Sequence, residues 1–147
     1  MTLIADLEET RAQTLERFAL PPAQLDRTYG PGKWSVRIIL NHLSDSEVVF
    51  HYRLKRVLSE PKQVIWATAQ DDWARALDYT TAPLELAQVV YTANRDAVLH
   101  LARTYYDRSR EIPFVHSEMG LRSLADEFEK VAWHNKKHLE QIERALT

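Results

Sequence analysis

Cysteine is absent from the 147 residues, which excludes disulfides, thiolate metal ligands and a cysteine nucleophile. Glycine occurs only three times, too rarely for a fold built on many tight turns, and nothing resembles a glycine-rich phosphate loop. No serine sits in a nucleophile elbow. No apolar run approaches the length of a bilayer-spanning helix. The opening "MTLIADLEETRAQTL" carries early acids and has no continuous apolar core, so it is not expected to be a signal peptide. A strong charge of one sign is also missing, because 19 basic and 21 acidic residues leave a formal net charge of −2. The short basic groups Arg53, Lys55, Arg56 and Lys136, Lys137 are therefore expected on solvated helix faces rather than in a nucleic-acid footprint. Together these absences predict a cytoplasmic protein with neither a membrane nor a nucleic-acid partner.

What is present is helical periodicity in four long segments. The first runs from about Leu3 to Ala19, with Leu3, Leu7, Thr14, Leu15 and Phe18 near one face, and Pro21 and Pro22 stop it. "YGPGKW" is the clearest break in the chain. Ser35 is a good N-cap for a second helix, with Trp34 placed to staple onto Ile39, and this helix should continue to Leu58 ahead of Pro61. Residues 59–80 show no sustained period and are expected to be a connection with one short helical turn. Thr81 is expected to cap the third helix and Pro83 to sit in its first turn, with Leu86, Val90, Ala93, Ala97 and Leu101 forming its inward stripe. "RSREIPFVHSEMGLR" is a second connection, and Ser123 with Asp126 has the spacing of a capping box opening the fourth helix. The pattern predicts an all-α four-helix bundle forming one domain over residues 1–147.

The histidines carry the chemistry. In "VAWHNKKHLEQI" His134 and His138 are one helical turn apart, on a stripe that continues through Val131, Ile142 and Ala145. Burying two imidazoles is unfavourable unless each finds a partner. Spacing alone leaves two readings: core histidines hydrogen-bonded to carbonyls, or a pair of nitrogens on one zinc-like ion. A third imidazole, His42 in "IILNHLSDSEVVF", lies on the inward side of the second helix with Ile38, Ile39 and Val49. His51, nine residues further along, faces roughly 180° away. His100 is a spare inward candidate on the third helix, and His116 lies in a connection, placed either over the site or exposed. Three histidine ligands would leave a fourth coordination position open, as catalytic zinc sites do.

These stretches also resemble a known family. "GKWSVRIILNHLSDSE" is similar to the first signature of the DinB-like bundles, and "HSEMGLRSLADEFEKVAWHNKKHLEQI" to their last helix. "FVHSEMG" combined with "AWHNKKH" most resembles the YfiT branch, described as metal-dependent hydrolases. The resemblance spans roughly residues 25–145. It implies a four-helix bundle holding a divalent metal, zinc or nickel, on His42, His134 and His138, with homodimers formed through bundle faces. It implies a small-molecule substrate, and either hydrolysis or transfer to a low-molecular-weight thiol such as bacillithiol or mycothiol; a non-catalytic, stress-associated metal-binding or dimerising bundle is the alternative. His116, in the matching loop, becomes the candidate catalytic residue, as a substrate contact or proton shuttle. Asp45 and Gln141 are placed either to orient an imidazole or to cap a local hydrogen bond, and Trp34, Trp66, Trp73 and Trp133 either to line an apolar pocket or to serve as core or dimer contacts. Two departures are visible: Lys137 precedes His138 where many relatives carry a histidine, and "ATAQDDW" replaces the expected aromatic-acidic stretch.

Overall fold

A computed structural model describes residues 2–60 and 62–147. Four long helices form the bundle: α1 (Leu3–Phe18), α3 (Val36–Ser59), α5 (Leu84–Ser109) and α6 (Leu124–Leu146). The short helices α2 (Pro22–Leu25) and α4 (Gln70–Ala76) lie in the connections. Ser35 caps α3 by accepting from the Ile38 amide, and Ser123 and Asp126 form the reciprocal capping box of α6. Each satisfies backbone donors that the first helical turn leaves free.

The inner residues fall into two apolar clusters. One contains Leu7, Phe50, Leu54, Val98, Phe128 and Val131; the other contains Phe18, Ile39, Leu43, Tyr91, Ile142 and Ala145. Helices α1 and α6 meet the first cluster before the second, whereas α3 and α5 meet them in the reverse order. Hence α3 and α5, consecutive long helices, run parallel. Their link must travel the length of the bundle, and it carries β1 (Val64–Ile65) and α4 on the way. It is pinned to α3 by Asn41, which donates to the Tyr79 carbonyl at 3.1 Å.

Between the two apolar clusters every long helix contributes polar residues: Thr10 and Thr14, Glu47, Arg95, and Asn135, all buried. The Arg95 guanidinium organises this layer. Its Nε and Nη2 donate to the two Glu47 oxygens at 2.5 and 3.0 Å, and Nη1 donates to the Leu7 carbonyl at 3.0 Å and to Thr10 Oγ1 at 2.8 Å. Nη2 also reaches Asn135 Oδ1 at 2.8 Å, so all the guanidinium donors are used. Asn135 in turn accepts from Tyr91 at 2.6 Å and donates to Thr14 at 2.8 Å. One side chain thus ties together all four long helices.

The charged layer explains where the third helix departs from its expected face. Its buried residues are Ala87, Tyr91, Arg95, Val98, Leu99 and Ala102, whereas Leu86 is 60% exposed and Ala93 and His100 are also exposed. An apolar stripe cannot predict an inward arginine, and placing Arg95 inside rotates the whole helix. Thr81 does not cap α5; Pro83 occupies that position, and the Thr81 hydroxyl bonds to Asp78 instead. Arg53, expected in solvent, is buried against Glu127 at 3.5 Å.

The connection between α5 and α6 is a hairpin of β2 (Pro113–His116) and β3 (Gly120–Ser123), paired Phe114 to Arg122 and His116 to Gly120. Gly120 supplies the positive φ of +74° that closes the turn. β1 adds to β2 in parallel, with Ile65 opposite His116. Phe114 and His116 face inward while Pro113 and Val115 face outward, as strand alternation requires.

The buried polar layer has a measurable consequence. Arg95→Ala should cost about 3–5 kcal/mol in urea unfolding, because Glu47 is left charged and buried. The double substitution Arg95→Met with Glu47→Gln should lose clearly less. A single-variant loss below about 1 kcal/mol would mean that water reaches the layer.

Candidate functional site

Three imidazoles converge beside the polar layer. His42 projects from α3, and His134 and His138 project one turn apart from α6, so the two helices face each other across the site. One ring nitrogen from each lies within 4.8 Å of the other two, and the Nε2 atoms of His42 and His134 are 3.0 Å apart. The rings meet edge-on or tilted, with centroids 4.6–5.0 Å apart. Trp34 closes one side, 4.9 Å from the His42 ring and nearly parallel to that of His138, and Phe50 packs its edge 5.4 Å from His134.

The proton positions follow from the neighbours. Gln141 Oε1 lies 2.8 Å from His138 Nδ1, an arrangement that places the proton on Nδ1 and leaves the Nε2 lone pair free. Ser46 Oγ stands 3.3 Å from His42 Nε2. Burial lowers all three imidazole pKa values. That of His42 falls to about 3, through desolvation and then the positive charge His138 would carry. Desolvation is also the main cause for His134, which lies well below its ordinary value, and for His138, where the Gln141 bond opposes it. At neutral pH the cluster therefore presents uncharged nitrogen lone pairs, the form in which histidine binds metals.

The donor set suits a divalent ion. Imidazole nitrogens at about 2.0–2.1 Å from a tetrahedral zinc lie roughly 3.3–3.4 Å apart, so small ring movements would accommodate one. No carboxylate joins the three-histidine group among the described residues.

A cavity of about 180 Å³ opens onto His42 and His134, and its walls include Ser46, Arg53, His116 and Lys130. A second cleft of about 210 Å³ reaches His138 and Gln141 past Trp34. The crossover between α3 and α5 forms part of both, through Gln70. A groove of about 850 Å³ between α1, α5 and α6 touches none of the three imidazoles.

The remaining candidates sort as follows. His116 lies at the end of β2 and shares the 180 Å³ cavity with His42 and His134. His51 is bonded to Asn94 at 2.9 Å and is not part of the cluster, nor is the exposed His100. Gln141 contacts an imidazole, but Asp45 does not, because it accepts from the Tyr79 hydroxyl instead. Trp34 packs on the imidazoles and Trp73 lines a small pocket beside His42, whereas Trp66 and Trp133 are exposed. Arg53, Glu127 and Lys130 were not anticipated near the site. Glu127 could have been found by following the α6 stripe back seven residues from His134, two turns up the same face.

Comparison with known proteins agrees with this geometry. The family model described as the DinB superfamily matches residues 6–142, and the chain belongs to that superfamily. Among its relatives is a protein of Oceanobacillus iheyensis named "Putative metal-dependent hydrolase", 30% identical over 129 residues, covering 88% of this chain and 74% of the relative. A second protein of that organism, bearing the same description, is 34% identical over 119 residues, covering 81% and 69%. Among solved structures, YfiT from Bacillus subtilis superposes with a TM-score of 0.85 at 26% identity, covering 95% of this chain and 81% of its own. It is described as "a probable metal-dependent hydrolase with an unusual four-helix bundle topology".

The lowered imidazole pKa values predict how metal-free protein responds to acid. Below about pH 6.5 the unfolded chain gains protons on these histidines, while the folded cluster resists until about pH 3 at His42. Folding stability should therefore fall progressively as pH drops through that window. Thermal unfolding of chelator-treated protein between pH 7 and 4 should show this slope, and His42→Gln should flatten it. An unchanged slope in the variant would show that His42 is not the buried neutral group described.

Proposed function

We propose that this protein is a divalent-metal-dependent hydrolase whose ion is held by His42, His134 and His138. The observation that carries the proposal is the convergence of these three imidazoles, two buried and His134 half-buried, beside a cavity, and the names of the relatives support the same reading. His138 would be oriented by Gln141, and Trp34 and Phe50 would limit how far the rings can turn. A bound ion would supply Lewis-acid activation of water or of a polarised bond. In the hydrolysis, the water oxygen bonds to the electrophilic atom of the substrate, the bond to the leaving group breaks, and the leaving group takes up a proton. Three protein ligands leave room for a reactant beside the ion, the arrangement of catalytic rather than closed structural sites.

Elemental analysis of untagged protein purified without chelators should find about one divalent ion, zinc or nickel, per chain. His42→Ala should lose most of it while remaining folded. Metal removal should abolish hydrolysis of a responsive ester or amide, and re-addition should restore it. Protein that neither carries nor takes up zinc or nickel would end the proposal. Metal-dependent turnover that consumes a low-molecular-weight thiol instead of water would replace hydrolysis with transfer.

A further inference from the structure

The cavity beside His42 and His134 has a second chemical character in its walls. The Nδ1 of His116 lies 3.2 Å from the backbone amides of both Glu118 and Met119 and accepts from them, so a neutral ring carries its proton on Nε2. That Nε2 is buried and has no hydrogen-bond partner among the described residues. Lys130 lines the same cavity, half-buried, and forms no ion pair among the described residues. Arg53 is different: its charge faces Glu127 at 3.5 Å, and its Nη2 donates to the Trp66 carbonyl at 2.6 Å.

Counting charges narrows the occupant. The Arg53–Glu127 pair is neutral as a unit, and of the two charges left on the walls the Glu118 carboxylate is exposed to solvent, so the half-buried Lys130 ammonium, beside His116, is the one that an occupant would meet out of water. A carboxylate fits both, since one oxygen can accept from each and its single charge matches that of Lys130. A dianion would add a charge with no counterpart, and Glu118, an exposed carboxylate on the cavity wall, would repel it further. At about 180 Å³ the space equals roughly six water molecules, enough for a small acyl fragment. Val49, Phe50 and Met119 supply the apolar part of the lining.

We infer that Lys130 and His116 form a recognition subsite for a single carboxylate, so that the substrate is a small carboxylate-bearing molecule placed with its reacting bond toward the imidazole cluster. The inference rests on the hydrolase reading for the use made of the bound molecule, but not for the charge it carries.

The test uses amide NMR titration of ¹⁵N-labelled protein with butyrate, its uncharged isostere butyramide, and inorganic phosphate. Butyrate should move the amide resonances of residues 116–119 and 130, and butyramide should bind at least about tenfold more weakly. Lys130→Met should weaken butyrate by about tenfold or more, and Lys130→Arg should retain most of the affinity. His42→Ala should still bind butyrate, which separates this subsite from direct capture of the anion by a metal. Butyramide binding equal to butyrate, phosphate binding tighter than butyrate, or a folded Lys130→Met variant with parental affinity would each overturn the inference. Metal content measured on the same samples distinguishes the two readings: a chain without metal that still binds butyrate through Lys130 overturns only the hydrolase, and a metal-loaded chain indifferent to Lys130 overturns only the subsite.

Discussion

The pairing of Arg95 with Glu47 is the constraint around which the bundle is arranged. A guanidinium removed from water is tolerable only if its charge is matched and every N–H is used. Here both conditions are met by atoms from α1, α3, α5 and α6 together. The requirement is directional, unlike the apolar contacts above and below it. It fixes the rotation and the height of each helix at once, which hydrophobic burial alone would leave looser. The site inherits that order. Glu47 follows His42 by little more than one turn of α3, and Asn135 sits between His134 and His138 on α6, so the same register brings the three imidazoles together.

Two kinds of polar burial therefore lie side by side and solve the same problem differently. The arginine layer is internally complete: donors and acceptors cancel, and nothing more is needed. The imidazole cluster is not complete in that sense. Desolvation keeps its rings neutral, one ring is oriented by Gln141, and the Nε2 atoms of His42 and His134 meet at 3.0 Å with no carboxylate beside them among the described residues. A closed network gives the molecule its shape, and an open one beside it gives the molecule something to bind.

Much of this was legible in the sequence because local signals and the fold agree. Ser35, Ser123 and Asp126 announce helix starts that the structure keeps, and the α6 stripe from Val131 to Ala145 is buried or half-buried as its spacing implies. The cluster of His42, His134 and His138 could be assembled from helical period plus family resemblance. The failures share a physical origin. Period counts apolar residues, so it misses inward charges whose partners lie elsewhere in the chain; Arg95 turned α5 away from its expected face, and Arg53 was assigned to solvent. Strands of two to four residues are shorter than any alternation can reveal, so the hairpin that carries His116 read as an irregular connection.

The parallel course of α3 and α5 has a consequence for how such a molecule can diversify. Antiparallel neighbours can be joined by a few residues at one end, leaving the flank of the bundle bare. Parallel neighbours oblige the chain to run back along that flank, and here residues 62–83 do so past the imidazoles, with Thr68, Gln70 and Trp73 beside His42. The return strap lines the cavities of the site, yet among the described residues it supplies none of the arginine layer. Apart from its buried anchors Ile65 and Tyr79, changes in its composition can reshape what enters without touching the arginine layer, so new selectivity is accessible to this architecture at positions that hold no helix in place.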